Sequence, residues 1–279
     1  MKRDLASESS ADFEPPSGKA WDIRDVETIH REDLDALLSG EIAYIRVGGF
    51  LSGDWCADIV KRFLSSADDP NIFDRYFEGW GMSRALGIPF RADCDRDDYF
   101  ARAETANRSL RQIYAGGEDP LSKLQKSIEI ATGWSYFQAT EGGRAYGTDH
   151  IWALEKSALG CPIHADGFEP SGLVPLKSRR MLSWNVYLAA SESGGGLAVY
   201  RKRWTKEDDQ YRKRANVGYD PAVIRDCPYG HIRPRPGDLV IFDPTHCHNV
   251  FKTAGPSRRT SAQAYIGLDR DRKEFTFWA

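Results

Sequence analysis

The stretch that decides the fold is PGDLVIFDPTHCHNV, residues 236–250. Proline and glycine at its start predict a turn, and the aliphatic and aromatic run 239–242 is typical of a buried strand. The returning segment carries His246 and His248, two positions apart. Alternate side chains of a strand point to the same face, so an extended segment would present both histidines to one side. The stretch therefore predicts a hairpin that carries imidazoles.

Further short runs of β-branched and aromatic residues lie on either side of this stretch. They are 134–139, 180–188, 197–200 and 260–267. Gly, Pro, Asp and Ser separate them, and the one helix candidate among them is 206–216. Many short strands at turn-rich spacing predict an antiparallel sandwich or barrel.

The first half of the chain favours helices. A short β-like run at 42–47 leads through a turn at 51–54 into apolar residues at helical spacing. Two more helical stretches follow, one over 97–114 and one from Pro120 to a stop at Gly133.

These patterns predict an α+β protein with one domain over residues 21–279. The domain is expected to be mostly helical to about residue 133, with those helices packed on one face of a β core at about 134–268. Residues 1–20 are polar and offer little to bury, so they predict a disordered tail.

Composition excludes several classes of protein. The 279 residues carry 38 basic and 41 acidic side chains, a net charge of −3, which lacks the basic excess that nucleic-acid binding requires. No apolar run is long enough to span a membrane. The five cysteines contain no C-x-x-C pair, and the N-terminus has no apolar signal segment. We therefore expect a cytoplasmic protein without nucleic-acid or membrane partners.

A candidate metal site begins with His164 and Asp166. In a strand these side chains, two positions apart, point to the same face. If the hairpin at 236–250 brings one histidine beside them, two imidazoles and one carboxylate converge, which is the donor set of non-haem Fe(II) oxygenases. Zinc hydrolases also use two histidines and a carboxylate, but their H-E-x-x-H helix is absent.

With these residues the sequence resembles the Fe(II)/2-oxoglutarate-dependent dioxygenases, in the prolyl 4-hydroxylase-like branch, near small-molecule hydroxylases and carrier-independent halogenases. The motifs that carry the resemblance span roughly residues 40–268 in family order. They are 50–52 with Cys56, 164–166, 180–188 with 194–197, 236–242, His248 with Val250, and 259–261.

The resemblance implies a double-stranded β-helix, a jelly-roll or cupin-like fold, with Fe(II) held by His164, Asp166 and His248. It also implies 2-oxoglutarate and O2 as cosubstrates, with ascorbate as a candidate reductant. The family places a valine two residues after its second histidine and an arginine about ten residues after it, which favours His248 over His246.

The arginine that the family places about ten residues after its second histidine is Arg258 or Arg259 in this sequence. Strand alternation groups Arg259 with Ser261, Gln263 and Tyr265 on one polar face, so Arg259 is expected to point into the barrel mouth and Arg258 outward. A guanidinium fork suits the distal carboxylate of 2-oxoglutarate. Ser261 shares this face and is a further cofactor-binding candidate.

Alternation in the middle strand groups Met181, Ser183, Asn185 and Tyr187 on one side. The resemblance aligns Tyr187 with a tyrosine that contacts the cosubstrate, and Asn185 with a residue beside it. A buried aromatic residue with a satisfied hydroxyl is the other interpretation of Tyr187.

The expected reaction is hydroxylation of an unactivated C–H bond of a small, amino-acid-like or specialised metabolite. Decarboxylation of 2-oxoglutarate to succinate and CO2 would accompany it, and desaturation or cyclisation are variants of the same chemistry. The resemblance argues against halogenation, because the halogenases replace the carboxylate at Asp166 with a small residue. A protein or peptide hydroxylase, a metal hydrolase and a metal-free β-helix binding module are the alternatives, and a monomer or homodimer is expected.

Overall fold

The computed structural model describes residues 18–77, 81–90, 94–155, 160–166, 180–213 and 218–279. Most of the expected disordered tail, and the end of the helix expected at 206–216, lie outside these ranges.

Four α-helices lie in the first half of the described chain. They are Arg31–Ser39 (α1), Gly53–Ser65 (α2), Arg96–Ile113 (α3) and Pro120–Thr132 (α4). Side-chain caps begin the last three, where Ser52, Asp95 and Asp119 each accept a backbone N–H. α4 ends at Gly133, whose φ of 70° is left-handed. The structure thus has helices at the three places where the residue spacing predicted them. None of the described helices is long and apolar enough to cross a membrane.

The described strands are listed here in chain order: Arg24–Val26 (β1), Tyr44–Val47 (β2), Ile72–Phe77 (β3), Gly81–Leu86 (β4), Ser135–Gln138 (β5), Thr140–Glu141 (β6), Arg144–Ala145 (β7), His150–Leu154 (β8), Cys161–His164 (β9), Arg180–Ala189 (β10), Ser193–Gly194 (β11), Leu197–Arg203 (β12), Tyr229–Ile232 (β13), Leu239–Phe242 (β14), His246–Val250 (β15), Thr253–Ala254 (β16), Arg259–Asp269 (β17) and Glu274–Trp278 (β18). Two 3-10 helices, Lys206–Tyr211 and Pro221–Ile224, interrupt them. The helix expected at 206–216 is therefore a shorter 3-10 helix in its described part.

Ten of the described strands form the main sheet, in the order β1-β2-β14-β10-β17-β8-β4-β3, with β18 beside β17 and β5 beside β18. The long strand β17 pairs with β10 along one edge. Along its other edge it pairs first with β8 and then with β18. Four others form the minor sheet, in the order β13-β12-β15-β9.

Two apolar clusters hold these parts together. One contains helix residues such as Leu37, Ile59 and Phe63 together with Trp184 and Ile241 of the main sheet, each almost fully buried. Burying one such side chain contributes about 1.5–3 kcal/mol. The second cluster joins main-sheet and minor-sheet residues, so the two sheets face each other.

The main sheet is longer than the sequence predicted at both ends. β2 corresponds to the β-like run expected at 42–47, but β1, β3 and β4 come from the half expected to be mostly helical, and β18 lies beyond residue 268. β3 lies at the edge of the sheet, and β4 shows mixed burial without clean alternation, so neither strand has a period-two signal. A charged turn at 270–273 separates β18 from β17, and such a turn is typical of the end of a core.

Candidate active site

A cavity of about 590 Å³ lies between the two sheets. Its walls combine apolar and polar side chains, as the walls of small-molecule sites do. A larger surface cleft, of about 770 Å³, lies beside Trp21 and His231. The cleft contains none of the predicted ligands, whereas the inner cavity is lined by His164, Asp166 and His248.

The three predicted ligands come together. His164 ends β9, His248 lies in β15, and antiparallel pairing makes them direct register partners. Asp166 follows β9, where its backbone N–H donates to the Pro244 carbonyl at 2.9 Å. One ligand atom from each of the three residues lies within 4.8 Å of the others, the only such group among the described residues.

Backbone carbonyls orient both imidazoles. The Nδ1 atom of His164 lies 2.8 Å from the Pro162 carbonyl, and that of His248 lies 2.9 Å from the His246 carbonyl. A carbonyl only accepts, so Nδ1 carries the proton and Nε2 is the basic nitrogen. Such contacts set the tautomer of metal-binding histidines.

The Nε2 atoms and the Asp166 carboxylate face one another at more than hydrogen-bond length. Asp166 Oδ1 lies 3.8 Å from His164 Nε2, and Oδ2 lies 4.0 Å from His248 Nε2. Two imidazoles and one carboxylate that converge in this way fit a divalent iron ion with open positions.

Tyr265 orients the carboxylate from the main sheet. Its hydroxyl donates to Asp166 Oδ2 at 3.0 Å. Burial and the neighbouring Asp166 charge hold the pKa of Tyr265 well above its usual value, so the hydroxyl stays a donor. Its ring stacks on Trp278, with centroids 5.7 Å apart, which fixes its direction.

The two histidines differ in basicity before any metal binds. Burial lowers the pKa of His164, but the neighbouring Cys161 and Asp166 outweigh this and raise it to about 10. Burial, followed by the adjacent His164, lowers the pKa of His248 to about 4. Near neutral pH the metal-free pair therefore carries one positive charge, on the His164 ring, while His248 stays neutral.

His246 lies outside the group. Its Nδ1 is 3.1 Å from the Tyr200 carbonyl, and its ring lies against Trp21 at 4.9 Å between centroids. The pairing of β15 is irregular on both sides of His248, so simple alternation does not place the two rings on one point.

Arg259 is buried in the same cavity. Only 4% of the residue is exposed, and its Nε donates to the Gly195 carbonyl at 3.0 Å. Its terminal nitrogen lies 3.3 Å from the Tyr187 hydroxyl, and the guanidinium lies over the Tyr187 ring. Gly195 has a φ of 68°, and a Cβ there would lie 3.4 Å from Arg259 Cδ, so the chain approaches closely here.

The partners of Arg259 are neutral oxygens. Among the described residues no carboxylate forms an ion pair with this buried cation. A buried charge is costly unless an opposite charge compensates it. The carboxylate of 2-oxoglutarate fits this position. Arg258, in contrast, turns outward and pairs with Glu155 at 2.8 Å.

The other predicted cofactor-binding residues, Asn185, Tyr187 and Ser261, make different contacts. Asn185 and Tyr187 line the cavity from β10. Ser261 is fully buried, and its hydroxyl donates to Gln263 Oε1 at 2.9 Å. Gln263 in turn lies 3.0 Å from His150 Nε2.

Sequence reasoning missed three contributions. Tyr265 was grouped with Arg259 by alternation, but its contact with Asp166 was not foreseen. Arg75 lines the cavity from β3, a strand without a clear sequence signal. Phe242 packs its ring against His248, with centroids 5.0 Å apart. The sequence signal for this contact is that Phe242, an aromatic residue, ends β14 just before the segment with the histidines.

The chain matches a family model over residues 21–279, that of the carrier-protein-independent halogenase WelO5. It is 30% identical over 245 residues to the L-gamma-glutamyl-L-propargylglycine hydroxylase of Streptantibioticus cattleyicolor, covering 85% of this chain and 89% of that protein. It is 28% identical over 189 residues to the leucinostatins biosynthesis cluster protein S of Purpureocillium lilacinum, covering 64% and 76%.

Solved structures share the fold. An N-substituted L-amino acid dioxygenase from Burkholderia ambifaria is similar with a TM-score of 0.56 and 14% identity, covering 89% of this chain and 91% of that one. HygX from Streptomyces hygroscopicus, solved with nickel and 2-oxoglutarate, is similar with a TM-score of 0.52 and 11% identity, covering 87% and 89%. The expected double-stranded β-helix is thereby confirmed. The chain belongs to the carrier-protein-independent halogenase WelO5 family of Fe(II)/2-oxoglutarate-dependent oxygenases.

Proposed function

We propose that this chain hydroxylates an unactivated C–H bond of a small, amino-acid-like or specialised metabolite, with decarboxylation of 2-oxoglutarate to succinate and CO2. The observation that carries the proposal is Asp166, a carboxylate aimed at the same point as two imidazoles. This donor set is the one that non-haem Fe(II) oxygenases use.

In this proposal His164, Asp166 and His248 hold Fe(II), and Arg259 grips the distal carboxylate of 2-oxoglutarate. The chemistry that Fe(II), 2-oxoglutarate and O2 supply together when bound is oxidation of the substrate C–H bond. Tyr187 supports the Arg259 guanidinium through its hydroxyl and ring. Asn185 lies two residues before Tyr187 on β10.

The side chains of the cavity position the substrate and exclude water. Trp152, Leu154, Phe242 and Val250 supply apolar wall area in the cavity that the three ligands line. Such walls limit the water that reaches the reacting atoms. Tyr265 keeps Asp166 pointed at the ligand position, which is the role of an outer hydrogen bond in a metal site.

The substrate class follows from the cavity. Its volume of about 590 Å³ suits a small molecule. The relative from Streptantibioticus cattleyicolor is named for a γ-glutamyl amino acid, which is a molecule of this kind. A protein substrate is the less favoured alternative.

Halogenation is the second candidate, because the matching family model is that of a halogenase. A halide on iron would need the coordination position that Asp166 would take as a ligand. We therefore favour transfer of oxygen over transfer of chlorine.

Product analysis separates the two candidates. Purified protein would be incubated with Fe(II), 2-oxoglutarate, chloride, ¹⁸O-labelled O2 and a panel of amino acids and γ-glutamyl dipeptides. We expect a product that gains one labelled oxygen atom and succinate that gains the other. A product in which chlorine replaces hydrogen would overturn the proposal in favour of halogenation.

We also propose that α1–α4 support the main sheet as a layer on one face, within a single domain over 21–279. The shared apolar cluster supports this arrangement. We further propose a monomer or homodimer in the cytoplasm, where the five free cysteines would stay reduced. Light scattering on the purified protein would test the oligomeric state.

A further inference from the structure

One row of polar side chains crosses the floor of the cavity. Register pairing places Asn185 of β10 opposite Gln263 of β17, and Gln263 opposite His150 of β8. All three side chains line the cavity, and they alternate with apolar neighbours along their strands. The proposed metal and cosubstrate contacts described above do not use His150.

The hydrogen bonds of this row define the tautomer of His150. Ser261 donates to Gln263 Oε1 at 2.9 Å, which leaves the amide nitrogen of Gln263 facing His150 Nε2 at 3.0 Å. An amide nitrogen only donates, so His150 Nε2 accepts. The proton of the neutral ring then lies on Nδ1.

The Nδ1 atom of His150 has no hydrogen-bond partner in the described part of the chain, although it is fully buried. Only 3% of the residue is exposed. Burial also lowers the pKa of His150 to about 4, which keeps the ring neutral. A buried donor without a partner is rare, and because the His150 side chain lines the cavity, a ligand that reaches Nδ1 from the cavity can supply the missing acceptor.

The position of His150 separates it from the proposed cosubstrate pocket. Tyr187 and Asn185 lie on β10, on one side of β17, whereas β8 with His150 lies on the other side. Adjacent strands are about 4.8 Å apart, so His150 is roughly two strand spacings from the Tyr187 side. Along β17, Gln263 lies two residues from Tyr265, which contacts the metal ligand Asp166. Arg259 pairs with Leu154, four residues from His150 along β8, so His150 lies toward the Tyr265 end of the cavity floor and Arg259 toward the other end.

We infer that His150 is a substrate-binding residue whose Nδ1–H donates a hydrogen bond to an uncharged acceptor oxygen of the substrate, an amide or ketone carbonyl. The inference rests on the proposed function, since it takes this cavity as the substrate site. Gln263 and Ser261 act as positioning residues that keep the proton on Nδ1. A substrate with an acceptor at this place would be favoured over one that offers only an ammonium group.

The tautomer is tested first, by ¹⁵N NMR of histidine-labelled protein loaded with Zn(II) as a diamagnetic stand-in and with 2-oxoglutarate. The His150→Asn variant assigns the His150 signals among the six histidines. We expect a protonated Nδ1 and an unprotonated Nε2. A proton on Nε2 would overturn the inference. The NMR measurement of the tautomer does not depend on turnover. A failure of the proposed function would instead show as an absence of 2-oxoglutarate binding, so the two failures can be told apart.

The ligand class is tested with two small probes. Acetamide offers a carbonyl acceptor, whereas ethylammonium offers only donors. We expect acetamide to shift the Nδ1–H signal in a saturable way and ethylammonium to leave it unchanged. An Nδ1–H signal that does not respond to acetamide, or that responds equally to both probes, would contradict the inference.

Two near-isosteric variants provide the matched comparison. His150→Asn places an amide nitrogen where Nδ1 was, and His150→Gln places it where Nε2 was. Acetamide affinity, measured by ligand-observed NMR, should stay within about threefold in the first and fall about tenfold in the second, which is typical of losing one buried hydrogen bond. Both variants should retain 2-oxoglutarate affinity. Equal acetamide affinities would show that Nδ1 is not the contact.

Discussion

His164 and His248 are direct cross-strand neighbours, with ring centroids 4.2 Å apart. Each ring is held at Nδ1 by the carbonyl two residues before it in the chain. The minor sheet thus presents two Nε2 atoms to one point, and Asp166 adds a carboxylate two residues beyond the end of β9. The proposed metal site is consequently a product of sheet register.

Arg259→Ala should raise the 2-oxoglutarate dissociation constant far more than Arg258→Ala. Loss of a buried charge-assisted contact costs about 2–5 kcal/mol, or roughly 30-fold to several thousand-fold in affinity. Arg258 is part of a half-exposed ion pair with Glu155, which is worth about 0–1 kcal/mol. Anaerobic titration of the Fe(II) protein with 2-oxoglutarate measures both. Equal effects of the two substitutions would refute the assignment of Arg259.

Tyr265→Phe should weaken metal binding, because it removes the hydrogen bond that orients Asp166. Loss of such an outer contact costs about 10–100-fold in metal affinity. Tyr187→Phe is the matched control, since Tyr187 contacts Arg259 instead. Its effect should fall on 2-oxoglutarate affinity. Competition with a chelator measures metal affinity, and an unchanged value for Tyr265→Phe would contradict the proposed role.

Metal affinity should fall as the pH is lowered from about 9 to 6. The raised pKa of His164, about 10, means that the metal-free ring is protonated throughout this window. Metal binding needs the neutral ring and releases this proton, so affinity should fall about tenfold per pH unit. Calorimetry in buffers of different ionisation enthalpy counts the proton.

Cys161→Ala provides the control for that experiment. The thiol is the foremost neighbour that raises the pKa of His164, so its removal should shift the pH dependence to lower pH. A metal affinity that is independent of pH in wild-type protein would show that His164 is already neutral.

Asp166→Gly should open a coordination position. Hydroxylation of whichever panel substrate the wild type accepts should fall at least about 100-fold, because a direct ligand matters more than an outer contact. In excess chloride a minor chlorinated product is expected. Asp166→Asn keeps the volume filled and should give no chlorinated product. Hydroxylation by Asp166→Gly at the wild-type rate would remove Asp166 from the metal site.

Alternation along strands predicted much of this cavity. Arg259, Gln263 and Tyr265 of β17, and Asn185 and Tyr187 of β10, line it as the period of two requires. These strands are central and buried, so one regular face is apolar and the other faces the cavity. Their sequence therefore records their orientation directly.

Contacts between distant segments could not be predicted in the same way. Nothing local shows that the Tyr265 hydroxyl reaches Asp166, or that Gln263 pairs with His150, because both contacts depend on sheet order. β3 lies at the sheet edge, where apolar alternation is weak, so the sequence carries no signal that places Arg75 at the cavity. The irregular pairing of β15 likewise separates His246 from His248 despite their equal parity.

The most direct test of the account is an anaerobic titration with Fe(II) and then 2-oxoglutarate, monitored by visible absorption. Wild-type protein should develop a weak charge-transfer band that saturates at one equivalent of each. His246→Ala should retain this band, whereas His164→Ala and His248→Ala should lose it while keeping native circular dichroism. A band that survives in His248→Ala and disappears in His246→Ala, or its absence from the wild type, would contradict the central claim that His164, Asp166 and His248 hold the iron.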